Sequence, residues 1–150
     1  MLKPLPPTPE LLQALNTYDT MLIVGHKNPD GDALGSQLAL ASILRRLGKQ
    51  VHLLSPGPFE RHEIQHLAPQ FSDSLPELGE DERALAVVVD CSTIDRIGHF
   101  AKTLGDIPIA VIDHHASGES FGDITWINTR AFSVTFMIHQ LYKALDITPT

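Results

Sequence analysis

Three short stretches carry the residues that could do chemistry. GHKNPDGDALGS holds His26, Asp30 and Asp32; VVVDCS holds Asp90; VIDHH ends in Asp113, His114 and His115. Carboxylates crowded together repel, and each has a raised pKa if left bare. A cation removes that cost. Mixed histidine and carboxylate ligands suit Mn²⁺, Fe²⁺ or Zn²⁺, and the carboxylate majority favours the harder Mn²⁺. The acids outnumber what one ion uses, which points to two ions bridged by a carboxylate. Such a pair activates a water and stabilises a phosphoryl transition state. Asp30-Gly31-Asp32 lets two carboxylates leave a tight turn just before a helix. Gly35 and Ser36 are then expected in its first turn, where backbone N–H groups attract phosphate.

Each stretch follows an apolar run that reads as a buried strand: Met21–Val24, Ala84–Asp90 and Ile109–Asp113. Val51–Leu54 reads as another, and the alternation in Asp123–Asn128 as a fifth. Helices are predicted at Glu10–Asn16, with Pro9 near its start, at Ala33–Leu47, where Gly48 is the stop, and at Ala131–Leu145. The last has Phe132, Phe136, Ile138, Leu141 and Leu145 as its apolar residues. A shorter helix is expected at Phe59–Leu67. Strands that are continuously apolar and alternate with helices mark a doubly wound α/β fold, mainly parallel, five-stranded, with helices on both faces. In such folds ligands bind beyond the carboxyl ends of the strands, where all three stretches lie.

The chain has 150 residues, 43% of them hydrophobic, the size and composition of one globular domain. Its 18 acids against 11 bases give a net charge of -7, which speaks against non-specific duplex binding. Two divalent ions would offset part of that charge. No apolar run approaches the ~20 residues of a membrane span. The first residues lack the apolar core of a secretory signal. One cysteine, Cys91, excludes an internal disulfide and fits the cytoplasm.

The three ordered stretches resemble the DHH phosphoesterases over roughly residues 20 to 145. DGDALGS is similar to the nanoRNase and phosphoadenosine-phosphate phosphatase branch; RecJ-like single-strand exonucleases are a sister branch. The resemblance implies that His26 and Asp30 hold one Mn²⁺ and Asp32 and His114 the other, with Asp90 bridging both. Mg²⁺ or another divalent ion is the alternative. It gives Asp113 the task of orienting a ligand histidine and sets His115 against the scissile phosphate. Arg96 matches a recurrent family position of structural type. A small nucleotide or short single-stranded RNA is the implied substrate, and a homodimer is allowed. The family's fourth acidic motif and Gly-rich substrate domain are not found in residues 1–150. One ion is then a ligand short, and this length of chain is expected to be weakly active or inactive. A non-catalytic nucleotide- or metal-binding module of the same fold is the rival reading.

Three other patterns invite different chemistry. Asn28-x-Asp30-x-Asp32 suggests a calcium loop, but Ala33 and Ala39 stand where Gly and Glu are needed. His62-Glu63-Ile64-Gln65-His66 matches the H-E-x-x-H of zinc proteases, with Glu77, Glu80 or Glu82 available as a third ligand. Gly118–Gly122 matches G-x-S-x-G, but a strand-like segment follows Ser120 where that elbow needs a helix. Cys91 reads as a small buried residue, with a reactive thiol as the alternative.

Overall fold

The computed structural model describes residues 5–115 and 121–147, so Ser120 lies outside the described residues. The strands are β1 (Thr20–Val24), β2 (Gln50–Leu54), β3 (Ala84–Val89), β4 (Ile109–Asp113) and β5 (Ile124–Ile127). They form one sheet in the order β2-β1-β3-β4-β5, with every pairing parallel. The helices are α1 (Pro9–Thr17), α2 (Gly31–Arg46), α3 (Phe100–Thr103) and α4 (Val134–Ala144). This is the doubly wound α/β architecture.

The strand sequences lack polar alternation because both faces of the sheet are dry. Met21, Ile23, Leu85, Val87, Ala110 and Ile112 pack into one layer with Leu15, Leu40, Leu44, Met137 and Leu141. Their neighbours Leu22, Val24, Ala86, Val88 and Val111 pack into the other with Ile97, Phe100 and Leu104. Strand side chains alternate faces, so two apolar faces give a continuous apolar run. The layers are unequal. One carries α1, α2 and α4; the other is covered by α3, a 3-10 turn at Ile94–Ile97 and loop residues such as Leu75 and Leu78.

Helix starts follow local capping. Thr8, Asp30 and Ser133 accept from the amides of Leu11, Ala33 and Phe136 at 3.2, 2.9 and 3.1 Å. The Asp30 cap starts α2 two residues earlier than the sequence pattern suggested. Gly35 and Ser36 therefore fall beyond the first turn, and their expected place at its phosphate-attracting amides is corrected. Ser36 is fully buried, and its hydroxyl donates to the Ala33 carbonyl at 2.9 Å. The Ser133 cap likewise starts α4 late, which leaves Phe132 outside the helix and 90% exposed. The expected helix at Phe59–Leu67 is a 3-10 helix at His62–Gln70. Among the described residues, no helix is long and apolar enough to cross a membrane.

The strand order reverses between β1 and β3, the position at which doubly wound sheets open a crevice. The loop after β1 is held there. Lys27 N–H donates to the Arg96 carbonyl (2.7 Å) and Asn28 N–H to the Gly57 carbonyl (3.0 Å). Gln37, fully buried on α2, clamps the strand ends by donating to the carbonyls of Ile23 (3.1 Å) and Leu54 (2.9 Å). Its amide leaves no room for a side chain at residue 25, where a Cβ would sit 2.5 Å from Gln37 Oε1. Gly25→Ala should cost about 1–3 kcal/mol in urea unfolding, as overpacking does. In a Gln37→Ala background the same change should cost less. Equal costs in both would show that the amide is not the obstacle.

Candidate metal centre

Asp90 is the first residue after β3, 3% exposed, with a φ of 56°. Aspartate tolerates that left-handed conformation better than most side chains. Its two carboxylate oxygens face two histidines. Oδ2 lies 3.5 Å from His26 Nε2 and Oδ1 3.5 Å from His114 Nε2. Each ring is turned by a backbone carbonyl: His26 Nδ1 is 2.7 Å from Lys27 O, and His114 Nδ1 is 3.3 Å from Ala131 O. A proton on each Nδ1 leaves both Nε2 lone pairs directed at Asp90, which is how a ligating histidine is usually held.

Two groups of ligand atoms share Asp90. His26, Asp30 and Asp90 form one; Asp90, His114 and His115 form the other. Within each group the atoms lie within 4.8 Å of one another. Asp30 Oδ1 is 3.8 Å from His26 Nε2, and Asp32 Oδ2 is 3.7 Å from His114 Nε2. Oxygen and imidazole donors shared around one carboxylate fit a pair of divalent ions.

Asp32 has a second engagement that its position in sequence does not suggest. Its Oδ2 accepts from Val134 N–H (3.0 Å), and its Oδ1 from Thr135 N–H (3.0 Å) and Thr135 Oγ1 (2.8 Å). An acid is thus seated on the N-terminus of α4, where the dipole favours it. Sequence reasoning missed Lys27, Ala131, Val134 and Thr135, because their contributions are mainly backbone groups. Ser133 was the available signal, since an N-cap marks where free amides begin.

Asp113 is 2% exposed, and its Oδ1 lies 2.6 Å from His115 Nδ1. It was expected to orient a ligand histidine of the Mn²⁺ pair. Neither His26 nor His114 takes it, because backbone carbonyls already occupy their Nδ1 atoms; its partner is His115. His115 Nδ1 is also 3.9 Å from Asp90 Oδ1, so its ring reaches the Asp90 group.

The electrostatics are those of acids crowded around histidines. Burial pushes the Asp90 carboxyl up, and the charges of Asp32 and Asp30 add to that; the contact with His26 only partly opposes it. Burial works to lower the His26 pKa, but the Asp90 and Lys27 contacts and the charges of Asp90 and Asp30 outweigh it and raise it. Burial works to raise Asp32, but the hydrogen bonds from Thr135 and Val134 and the His114 ring hold it below its ordinary value.

The competing motifs are not assembled. His62 and His66 sit on a 3-10 helix, where residues four apart do not share a face, and both are exposed. Among the described residues no third ligand joins them, so the zinc-protease alternative is set aside. Burial raises the Cys91 thiol to about 12, so it is not a reactive thiol.

The fold and this cluster define an α/β domain with histidines and aspartates gathered at the carboxyl edge of its sheet. Residues 20–148 match the DHH family, N-terminal domain, and the chain belongs to that family. It is 34% identical over 135 residues to the bifunctional oligoribonuclease and PAP phosphatase NrnA of Bacillus subtilis, covering 89% of this chain and 41% of that protein. A probable manganese-dependent inorganic pyrophosphatase of Enterococcus faecalis is 26% identical over 138 residues, covering 85% of this chain and 42% of that protein. Among solved structures, an exopolyphosphatase-related protein from Bacteroides fragilis shares the fold, with a TM-score of 0.70 at 21% identity over 91% of this chain and 42% of that one. The chain spans about two-fifths of the length of these curated relatives.

Titration of the metal-free chain with Mn²⁺ in a calorimeter should show binding that Asp90→Ala weakens at least roughly 100-fold, the upper end of losses seen for outer-shell partners. His62→Ala should leave it unchanged; the reverse pattern would move the centre to the 3-10 helix.

Stability should also report the site. A raised His26 pKa stabilises the metal-free chain below the ordinary 6.5, and that contribution is lost as pH rises through the folded value above 6.5. The raised Asp90 costs stability as pH climbs past 3.8, while the lowered Asp32 contributes above 3.8 and loses its contribution only in stronger acid. Thermal unfolding in EDTA should therefore worsen from pH 6 to 8, and Mn²⁺ should raise the midpoint more at pH 8 than at pH 6. An equal rise at both would mean that no proton leaves the site on binding.

Proposed function

We propose that this chain is the metal-holding part of a Mn²⁺-dependent phosphoesterase of the cytoplasm that hydrolyses small nucleotides or very short oligoribonucleotides. The observation that carries the reading is Asp90, whose two oxygens each face a histidine Nε2 at 3.5 Å. His26, Asp30 and Asp90 would hold one ion, and Asp90, His114 and Asp32, with His115 beside them, the other. When bound, such ions supply an activated water and offset the charge that develops at phosphorus.

The chain's own groups do the positioning. Asp90 sets the separation of the two ligand groups, because its oxygens belong to one rigid carboxylate. Lys27 and Ala131 fix the two rings through their carbonyls. Asp113 accepts a hydrogen bond from His115 Nδ1–H, which leaves the Nε2 lone pair of a side chain 43% exposed free to take up a proton and hand it on to a departing oxygen. Positioning of this kind supplies much of the rate in phosphoryl transfer. The nucleotide substrate is supported by the oligoribonuclease and PAP phosphatase activities in the name of the Bacillus subtilis relative, and manganese by the name of the pyrophosphatase.

Release of mononucleotide from a short RNA, with Mn²⁺ present, tests the reading. A form of the protein with the length of its relatives should turn over, and Asp90→Ala should lower its rate at least roughly a thousandfold, the scale on which unit-acting catalytic groups fail. Residues 1–150 alone should be slow or inactive. Equal turnover by both would mean that residues 1–150, or a second copy of them, complete the second ion's ligands.

A further inference from the structure

The His114 ring stands between two kinds of acceptor. Its Nε2 faces oxygens of Asp90 (3.5 Å) and Asp32 (3.7 Å), and its Nδ1 faces the Ala131 carbonyl (3.3 Å). A neutral imidazole carries one proton. The carboxylates draw that proton to Nε2, and the carbonyl draws it to Nδ1. A proton on Nε2 occupies the lone pair that an ion needs. The Ala131 carbonyl therefore has to hold its place for the ring to serve as a ligand.

Ala131 is held by Asn128, a fully buried residue directly after β5. The Asn128 carbonyl accepts from Ala131 N–H at 3.1 Å, and its side-chain Oδ1 accepts from Arg130 N–H at 3.1 Å. The second bond is an Asx turn, in which the side chain ties down the amide two residues on. Together the two bonds fix the path of residues 128–131. Asn128 N–H also donates to the Asp113 carbonyl at 2.9 Å. That carbonyl belongs to the planar peptide group that joins Asp113 to His114. One buried residue thus fixes both the plane from which His114 starts and the carbonyl to which its ring turns.

The side chain acts through a single atom. Asn128 Nδ2 is buried with no hydrogen-bond partner among the described residues, so Oδ1 makes the turn. Asparagine supplies that oxygen without adding another buried charge to an edge crowded with carboxylates. The other ring is independent of it, because His26 Nδ1 meets the carbonyl of its own neighbour, Lys27, at 2.7 Å.

We infer that Asn128 is a positioning residue of the metal centre: through the Ala131 carbonyl it keeps the His114 proton on Nδ1 and Nε2 open to an ion. The inference rests on the phosphoesterase reading above for the use made of that lone pair.

The test follows the histidine rings of the ¹⁵N-labelled, metal-free chain by NMR and its Mn²⁺ binding by calorimetry. Asn128→Ala should move the neutral His114 ring toward the Nε2–H form and leave the His26 ring unchanged. It should weaken Mn²⁺ binding about tenfold, the lower end of the loss on removing a group behind a ligand, since the Ala131 carbonyl itself remains. Asn128→Asp keeps Oδ1 and should keep the wild-type His114 tautomer. Phe100→Leu, on the opposite face of the sheet, should lower the unfolding midpoint and change neither readout. If the alanine variant does not fold, Asn128→Ser, whose hydroxyl is a weaker acceptor for the same amide, should show the His114 shift in part. An unmoved His114 tautomer in the folded variant would overturn the inference. So would an equal shift at His26, the mark of general loosening, or a shift in Asn128→Asp as large as in Asn128→Ala. Absence of Mn²⁺ binding by the wild-type chain would bring down the metal reading, and the His114 tautomer would still decide the part played by Asn128.

Discussion

A carboxylate sits almost out of reach of water at the end of the central strand, and the rest of the molecule is arranged around it. Asp90 is 3% exposed, and a bare charge there is costly, which is why its pKa is driven up. The chain answers with two imidazoles, one on each oxygen, and with two more aspartates that no imidazole proton can fully satisfy. Two protons or two cations can relieve such a cluster, but only cations relieve all of its acids at neutral pH. His26 and Asp90 both lean toward their protonated forms, so in the absence of cations the cluster competes for protons.

The same acids also hold the fold. Asp30 caps α2, and Asp32, two residues on, caps α4 across 102 residues of sequence. A change at either residue therefore acts on helix packing as well as on the site. The coupling also runs outward. Because Ala131 turns His114 while Val134 and Thr135 seat Asp32, the start of α4 and the centre keep one geometry.

The sheet makes this placement possible. Parallel strands deliver their carboxyl ends to one edge, and the order β2-β1-β3-β4-β5 sets β1 beside β3 and β3 beside β4. His26, Asp90 and His114 follow those three neighbouring strands. The thin layer of α3 and loops on one face contrasts with three helices on the other, and the helices α2 and α4 that supply site contacts both belong to the thick layer.

Much of this was determined by the sequence alone. Continuous apolar runs specify strands buried on both faces, and polar clusters directly after three of them specify which edge carries the chemistry. Residue types point to a divalent-ion set, because several carboxylates crowded together repel one another unless a cation offsets them. The short H-E-x-x-H pattern shows the limit of that reasoning, since its spacing means a shared face only on an α-helix, and Pro69 helps keep His62–Gln70 in 3-10 form. Tertiary structure decided the remainder. Asp113 pairs with His115 instead of His26 or His114, because the Nδ1 atoms of those rings had already been taken by carbonyls of Lys27 and Ala131. Asp32 binds the start of α4, and Ser36 turns inward. These choices are made by backbone donors and acceptors, which every residue carries alike, so no residue letter announces them; only the folded path of the chain determines which of them meet.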